Sequence, residues 1–169
     1  NYLAYFYFTD INGNFNGTER INFTIDTSAP KITINSPQPI FVNYSVSNVM
    51  FNITLDSAGS ICLYSLNGGA FNISMSTQNN IAYNATNSSI ADGLYTAGFY
   101  CNATLGNLGT NTTGFRIDTK PPNVTLFNPQ AINYTFNFLG LNFSTSDSGV
   151  KQESCWYNLD NGNDNVSLP

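Results

Sequence analysis

The chain repeats itself with a period near 92 residues, and this limits its fold more than any other feature. Ile25-Asp26-Thr27-Ser28-Ala29-Pro30 returns as Ile117-Asp118-Thr119-Lys120-Pro121-Pro122, an offset of 92. Cys62-Leu63-Tyr64-Ser65-Leu66-Asn67 returns as Cys155-Trp156-Tyr157-Asn158-Leu159-Asp160, an offset of 93. Tyr2-Leu3-Ala4-Tyr5-Phe6-Tyr7-Phe8 matches Tyr95-Thr96-Ala97-Gly98-Phe99-Tyr100-Cys101, also offset by 93. Three matches in one order at nearly one offset mark tandem copies of one structural unit. The period is also the size of one seven-stranded β-sandwich. The phasing predicts a complete repeat over 31–120, with the last two strands of a preceding repeat in 1–30 and the first strands of a following one in 121–169. On this reading the segment starts and ends inside a repeat and belongs to a longer array. The Asp-Thr-x-x-Pro segments are the joints, where proline removes a backbone donor and stiffens the chain.

The local pattern within each repeat is β. Phe51-Asn52-Ile53-Thr54-Leu55 puts Phe, Ile and Leu on one face and Asn and Thr on the other, the period of two of a half-buried strand. Val124 and Leu126 alternate with Asn123 and Thr125 in the same way. Turn formers separate the runs: Asn12-Gly13, Asn67-Gly68-Gly69, Asp92-Gly93, Asp147-Ser148-Gly149 and Asn161-Gly162. No run has a convincing 3.6-residue period. Short strands at this spacing read as an all-β sandwich or barrel.

Composition removes several function classes. Only 9% of residues are charged, the formal net charge is −5, and five Lys plus Arg cannot build the basic stripe that nucleic acid requires. The same shortage argues against anionic membranes. No apolar run approaches the roughly 20 residues needed to insert in a bilayer, and no signal-peptide pattern opens the segment. Whatever exports and anchors the protein is expected to lie outside it. Aromatic residues make up 14% of the chain, which supplies apolar surface enough to fold.

The Ile-Asp-Thr-x-Pro-Pro joint, the late Tyr-x-Ala-x-Phe-Tyr-Cys strand and the Cys-Trp-Tyr-x-Leu-Asp hairpin resemble the immunoglobulin-like repeats of very large archaeal cell-surface proteins. The resemblance covers essentially the whole chain. It implies tandem immunoglobulin-like (Greek-key) β-sandwich repeats, in a surface-layer protein, an adhesin or an extracellular filament. It speaks for location and a mechanical role more than for any activity.

Cysteines and sequons point outside the cell as well. Cys62 lies on an early strand of the complete repeat and Cys101 on a late one; in a sandwich these could be adjacent strands of one sheet, which would make a bridge between them in-sheet. That departs from the inter-sheet bridge of antibody domains. Closing a loop of this size contributes roughly 3–4 kcal/mol under the loop-entropy model. The alternative is two buried free thiols. Cys155 repeats Cys62, and its partner is expected beyond Pro169; Phe8 stands where Cys101 would be in the first repeat. Thirteen Asn-x-Ser/Thr sequons are present, at Asn16, Asn22, Asn43, Asn52, Asn72, Asn84, Asn87, Asn102, Asn111, Asn123, Asn133, Asn142 and Asn165. With 27 Asn and about one fifth Ser plus Thr, chance would make about five. In a strand the Asn and its Ser or Thr share one face while the residue between them points inward, as in Asn52-Ile53-Thr54, Asn123-Val124-Thr125 and Asn142-Phe143-Ser144. Heavy N-glycosylation would keep so uncharged a surface soluble. The competing reading is an Asn/Thr-rich exposed face that makes sequons by accident.

The chain carries no recognisable catalytic pattern. Without histidine there is no Ser-His-Asp or Cys-His device, and the carboxylates are dispersed. Three scattered cysteines do not make a metal site. The calcium candidates are weak: Asp10 in Asp10-Ile11-Asn12-Gly13-Asn14, and Asp160 and Asp164 in Asp160-Asn161-Gly162-Asn163-Asp164. Neither loop has the downstream bidentate Glu, and both read as plain turns. Asp26 and Asp118 read as caps of the joints rather than cation ligands. Trp156 and Tyr134 read as packing residues rather than a sugar platform. No cofactor is expected apart from N-linked glycans. The functional expectation is a non-catalytic structural repeat of an extracellular filament, stalk or surface layer, whose partners are neighbouring copies or adjacent repeats. The alternatives are spacer repeats of an adhesin with its binding tip elsewhere, and a glycan-binding accessory module of a secreted enzyme.

Overall fold

The computed structural model describes residues 1–149, 154–159, 161–162 and 164–168, all as strands, turns and loops. Strands β1 (Tyr2–Thr9) and β2 (Phe15–Phe23) form a hairpin. Its turn is closed by Gly13 at φ 84°, a left-handed conformation that glycine adopts without a Cβ penalty.

Nine strands then build a two-sheet sandwich. They are β3 (Ile32–Ser36), β4 (Val42–Tyr44), β5 (Val49–Leu55), β6 (Gly59–Ser65), β7 (Ile73–Ser74), β8 (Ser76–Thr77), β9 (Ala82–Asn87), β10 (Gly93–Ala103) and β11 (Leu108–Ile117). One sheet has the order β4-β11-β10-β6-β7 and the other β3-β5-β9-β8. Five of the eight connections between these strands pass from one sheet to the other, so the chain crosses the core in Greek-key fashion. The fold is an immunoglobulin-like sandwich. Within the two sheets only β4 and β11 pair in parallel.

The core follows from the period-two pattern. Phe51, Ile53 and Leu55 all point into it from β5, and Asn52 and Thr54 point out. Phe51 is fully buried, stacked on Tyr64 at 4.3 Å between ring centroids and edge-on to Phe115 at 5.9 Å. Ile32, Ile34, Tyr83, Ala97, Phe99 and Ile117 complete the centre.

After the second joint, β12 (Asn123–Asn128) pairs with β13 (Asn142–Ser146), and β14 (Cys155–Tyr157) with β15 (Val166–Leu168). These pairs reproduce the central sandwich rung by rung. Val124 faces Thr145 as Ile32 faces Leu55, and Leu126 faces Phe143 as Ile34 faces Ile53. Both ladders then shift register at the next residue, where a cis peptide follows in each: Ser36-Pro37 and Asn128-Pro129. Trp156 faces Ser167 as Leu63 faces Ser74.

Val124 and Leu126 alternate as half-buried residues should, yet they are 62% and 55% exposed. They line an open apolar cavity of about 400 Å³ with Pro122, Leu141, Phe143 and Trp156. Alternation reports which face of a strand is apolar, not whether a second sheet covers it.

Candidate functional sites at the joints, the bridge and the sequons

The joints are fastened to the central sandwich by side chains far away in sequence. At the first, Asn107 Nδ2 donates to the Asp26 carbonyl at 2.9 Å. Pro30 is buried, and Gly109 lies so close to it that a Cβ there would sit 2.0 Å from the Pro30 carbonyl oxygen. Glycine is required at that point by backbone approach. At the second, Asp92 Oδ1 accepts from Thr119 N at 3.0 Å and from Thr119 Oγ1 at 2.8 Å, and Lys120 Nζ lies 3.8 Å from Asp92 Oδ2. The Thr119 side-chain and backbone hydrogen bonds, with the Lys120 charge behind them, hold the Asp92 carboxyl below its ordinary pKa. Arg116 Nη1 donates to the Gly149 carbonyl at 2.7 Å, tying the strand that leaves the sandwich to the loop after β13. Asp26 and Asp118 each accept a backbone amide two residues on, from Ser28 and Lys120. Sequence reasoning anticipates these caps but misses Asp92, Asn107 and Arg116, whose role depends on contacts across the fold.

Cys62 and Cys101 are bonded, 39 residues apart in sequence and directly opposed on β6 and β10. Both cysteines are fully buried and belong to the core, as do Tyr64 and Phe99 two residues away on the same strands. Cys155 is a half-buried thiol on β14, at the wall of the open cavity.

The sequon asparagines fall on many elements. Asn16 and Asn22 are on β2, Asn43 on β4, Asn52 on β5, Asn84 and Asn87 on β9, Asn102 on β10, Asn111 on β11, Asn123 on β12 and Asn142 on β13. Asn72 and Asn165 immediately precede β7 and β15, and Asn133 lies in the loop before β13. Asn52 and Asn84 face each other across the outer side of the four-stranded sheet. Asn111 differs from the rest: its Nδ2 donates to the Ile32 carbonyl of the other sheet at 2.8 Å. The hydroxyl residue of that sequon, Thr113, is only 2% exposed.

Asp10 caps its own hairpin turn. Its Oδ1 accepts the amides of Asn12 and Asn14 at 2.9 Å each, and its Oδ2 accepts Asn14 Nδ2 at 2.7 Å. The side-chain bond from Asn14, first among these, lowers the Asp10 pKa. Asp164 is exposed in the turn before β15, and Asp160 lies outside the described residues. Among the described residues no three His, Cys, Asp or Glu side chains are grouped as a metal site would need. Tyr134 packs edge-on against Phe136 at 5.4 Å, and its hydroxyl accepts the Gln130 amide at 2.8 Å. Trp156 lies on the cavity wall, 59% exposed.

No protein-family model matches the chain. Among solved structures it is similar to the fibronectin(III)-like modules of CbhA from Clostridium thermocellum, with a TM-score of 0.46 and 22% identity over 69% of this chain and 63% of that one. A modular endo-β-1,4-mannanase from Cellulomonas fimi matches with a TM-score of 0.41 and 12% identity, over 55% of this chain and 19% of the other. In sequence, 97 residues are 32% identical to halomucin from Haloquadratum walsbyi, a match that covers 57% of this chain. It spans about 1% of the length of halomucin.

Proposed function

We propose that the chain is a non-catalytic structural segment of a heavily N-glycosylated extracellular filament, stalk or surface layer, built from tandem repeats whose central unit is 31–120 and whose partners are neighbouring copies or adjacent repeats. The similarity to halomucin and the bridged cysteines support an extracellular setting.

The observation that carries the reading is the parallel pairing of β4 with β11, the strand that leads into the second joint. Tension enters from the first joint at β3 and leaves through β11 into the second. Between them, β4 pairs in parallel with β11, Val42 opposite Phe115 through Tyr44 opposite Ile117. Pulling the joints apart slides these two strands along each other, so their hydrogen bonds are loaded together rather than opened one at a time. Both joints are also fastened to the sandwich by side-chain bonds.

Single-molecule pulling from joint to joint tests this. A discrete rupture of the central sandwich is expected, and a smooth yielding at low force would overturn it. Sedimentation of the purified chain then separates the two settings. Concentration-dependent assembly favours a filament, and a persistent monomer favours adhesin spacer repeats.

A further inference from the structure

On the outer side of the four-stranded sheet two sequons stand opposite each other in very different states. Asn35 Nδ2 donates to Asn52 Oδ1 at 3.1 Å and to Thr54 Oγ1 at 2.7 Å. One neighbouring side chain therefore occupies both the carboxamide and the hydroxyl of the sequon Asn52-Ile53-Thr54. Asn84 and Thr86, on the adjacent strand, are exposed and make no side-chain hydrogen bond among the described residues. Residues directly opposed on antiparallel strands have Cβ atoms about 5 Å apart, which leaves room for one sugar tree rather than two. The third case is Asn111, whose Nδ2, the atom that would take the sugar, bridges to Ile32 while its Oδ1 accepts the Thr112 amide.

We propose that the folded chain takes one N-glycan on this face, at Asn84, while Asn52 and Asn111 are withheld by the hydrogen bonds they make. The co-reactant is a lipid-phosphate-linked oligosaccharide. The Asn84 Nδ2 forms a bond to C1 of its first sugar, the C1–O bond to phosphate breaks, the amide gives up one proton and the lipid phosphate leaves. That nitrogen must be free to turn toward the sugar, and the hydroxyl two residues on must be free for the transferase. Asn84 meets both demands. The Asn52 sequon must first release Asn35 from Asn52 Oδ1 and from Thr54 Oγ1, and Asn111 must break two hydrogen bonds of its own. The third repeat supplies a contrast: Asn142, the counterpart of Asn52, has Phe127 where Asn35 stands, so no carboxamide clamps it.

The inference rests on the glycosylation reading. The test takes the disulfide-intact chain made without glycosylation, treats it with an oligosaccharyltransferase and a lipid-phosphate-linked oligosaccharide, and quantifies glycopeptides. Asn84 is expected to exceed Asn52 and Asn111 by about tenfold or more, the effect of two hydrogen bonds per site. In the reduced, unfolded chain the three sites should approach one another. Asn35→Ala should raise Asn52 at the expense of Asn84. Equal modification of Asn52 or Asn111 in the folded chain, or an Asn35→Ala variant with Asn52 unchanged, would overturn the proposal. In native material, glycans at Asn123 and Asn142 with Asn84 bare would sink this inference alone. A native chain bare at every sequon would sink the glycosylation reading with it.

Discussion

Tyr95 stacks on Phe115 with ring centroids 5.4 Å apart and planes 20° from parallel, and one repeat earlier Tyr2 stacks on Phe23 at 5.3 Å and 18°. The pairs sit at equivalent rungs of equivalent hairpins, Tyr95 opposite Phe115 and Tyr2 opposite Phe23. Phe115 is fully buried and Phe23 is 44% exposed. Hairpin register sets the geometry, and burial sets what it is worth. Phe115→Ala should therefore destabilise the central sandwich by about 3–5 kcal/mol, as large-to-small changes in a packed core do. Phe23→Ala should cost it under about 1 kcal/mol. Denaturant unfolding of the disulfide-intact chain, followed by amide exchange in β5 and β10, checks both.

Replacing Cys62 and Cys101 together by alanine should cost about 4 kcal/mol in the loop-entropy account, because 39 residues lose their closure in the unfolded chain. The measurement is the shift in denaturation midpoint between the double variant and the oxidised chain. Reduction of the unaltered chain should reproduce most of it.

Gly109→Ala should cost roughly 1–3 kcal/mol, since the new methyl meets backbone that has to move. Gly140, which has open space around it and no positive φ, is the control and should be near neutral. A fall in protection of the Asn107 and Gly109 region, absent from the Gly140 variant, would place the damage at the first joint.

Two ionisations couple the stability of the central sandwich to pH in opposite directions. The Asp92 carboxyl is lowered from 3.8 by Thr119, so its contribution is present above the unfolded value and lost as pH falls through the lower folded one. The Thr119 amide resonance should titrate below the ordinary carboxylate range, and Asp92→Ala should abolish that titration. Tyr83 is the reverse case. Burial raises its phenol above 10.0, and the hydroxyl donates to the Gly59 carbonyl at 2.9 Å. Its contribution is present below the unfolded value and lost as pH rises through the higher folded one. Tyr83→Phe should cost about 1 kcal/mol at neutral pH and flatten the alkaline loss of stability.

Much of the fold was legible because each signal is local. Phe51 to Leu55 announces a strand with one apolar face, and Asn12-Gly13 and Asn67-Gly68-Gly69 announce turns that the structure closes with glycines at positive φ. The offset near 92 extends that reading to the shared register of β3-β5 and β12-β13. What escaped is what needs a partner distant in sequence. Strand β4 is three residues long, too short to show a period, and exists because β11 lies beside it. Asp92, Asn107 and Arg116 look like ordinary surface residues until the joints are laid against them. The sequon at Asn111 has the same pattern as its twelve fellows, since the pattern records Thr113 but not the Ile32 carbonyl across the sandwich.

The bridge between β6 and β10 also governs length. Should the central sandwich give way, the chain between Cys62 and Cys101, 39 positions apart, stays tied into a ring. At about 3.4 Å per extended residue, that ring withholds roughly 130 Å of slack. A thread of such units would stretch by short, fixed increments while oxidised and by much longer ones when reduced, so the redox state of its surroundings would set how far it can lengthen.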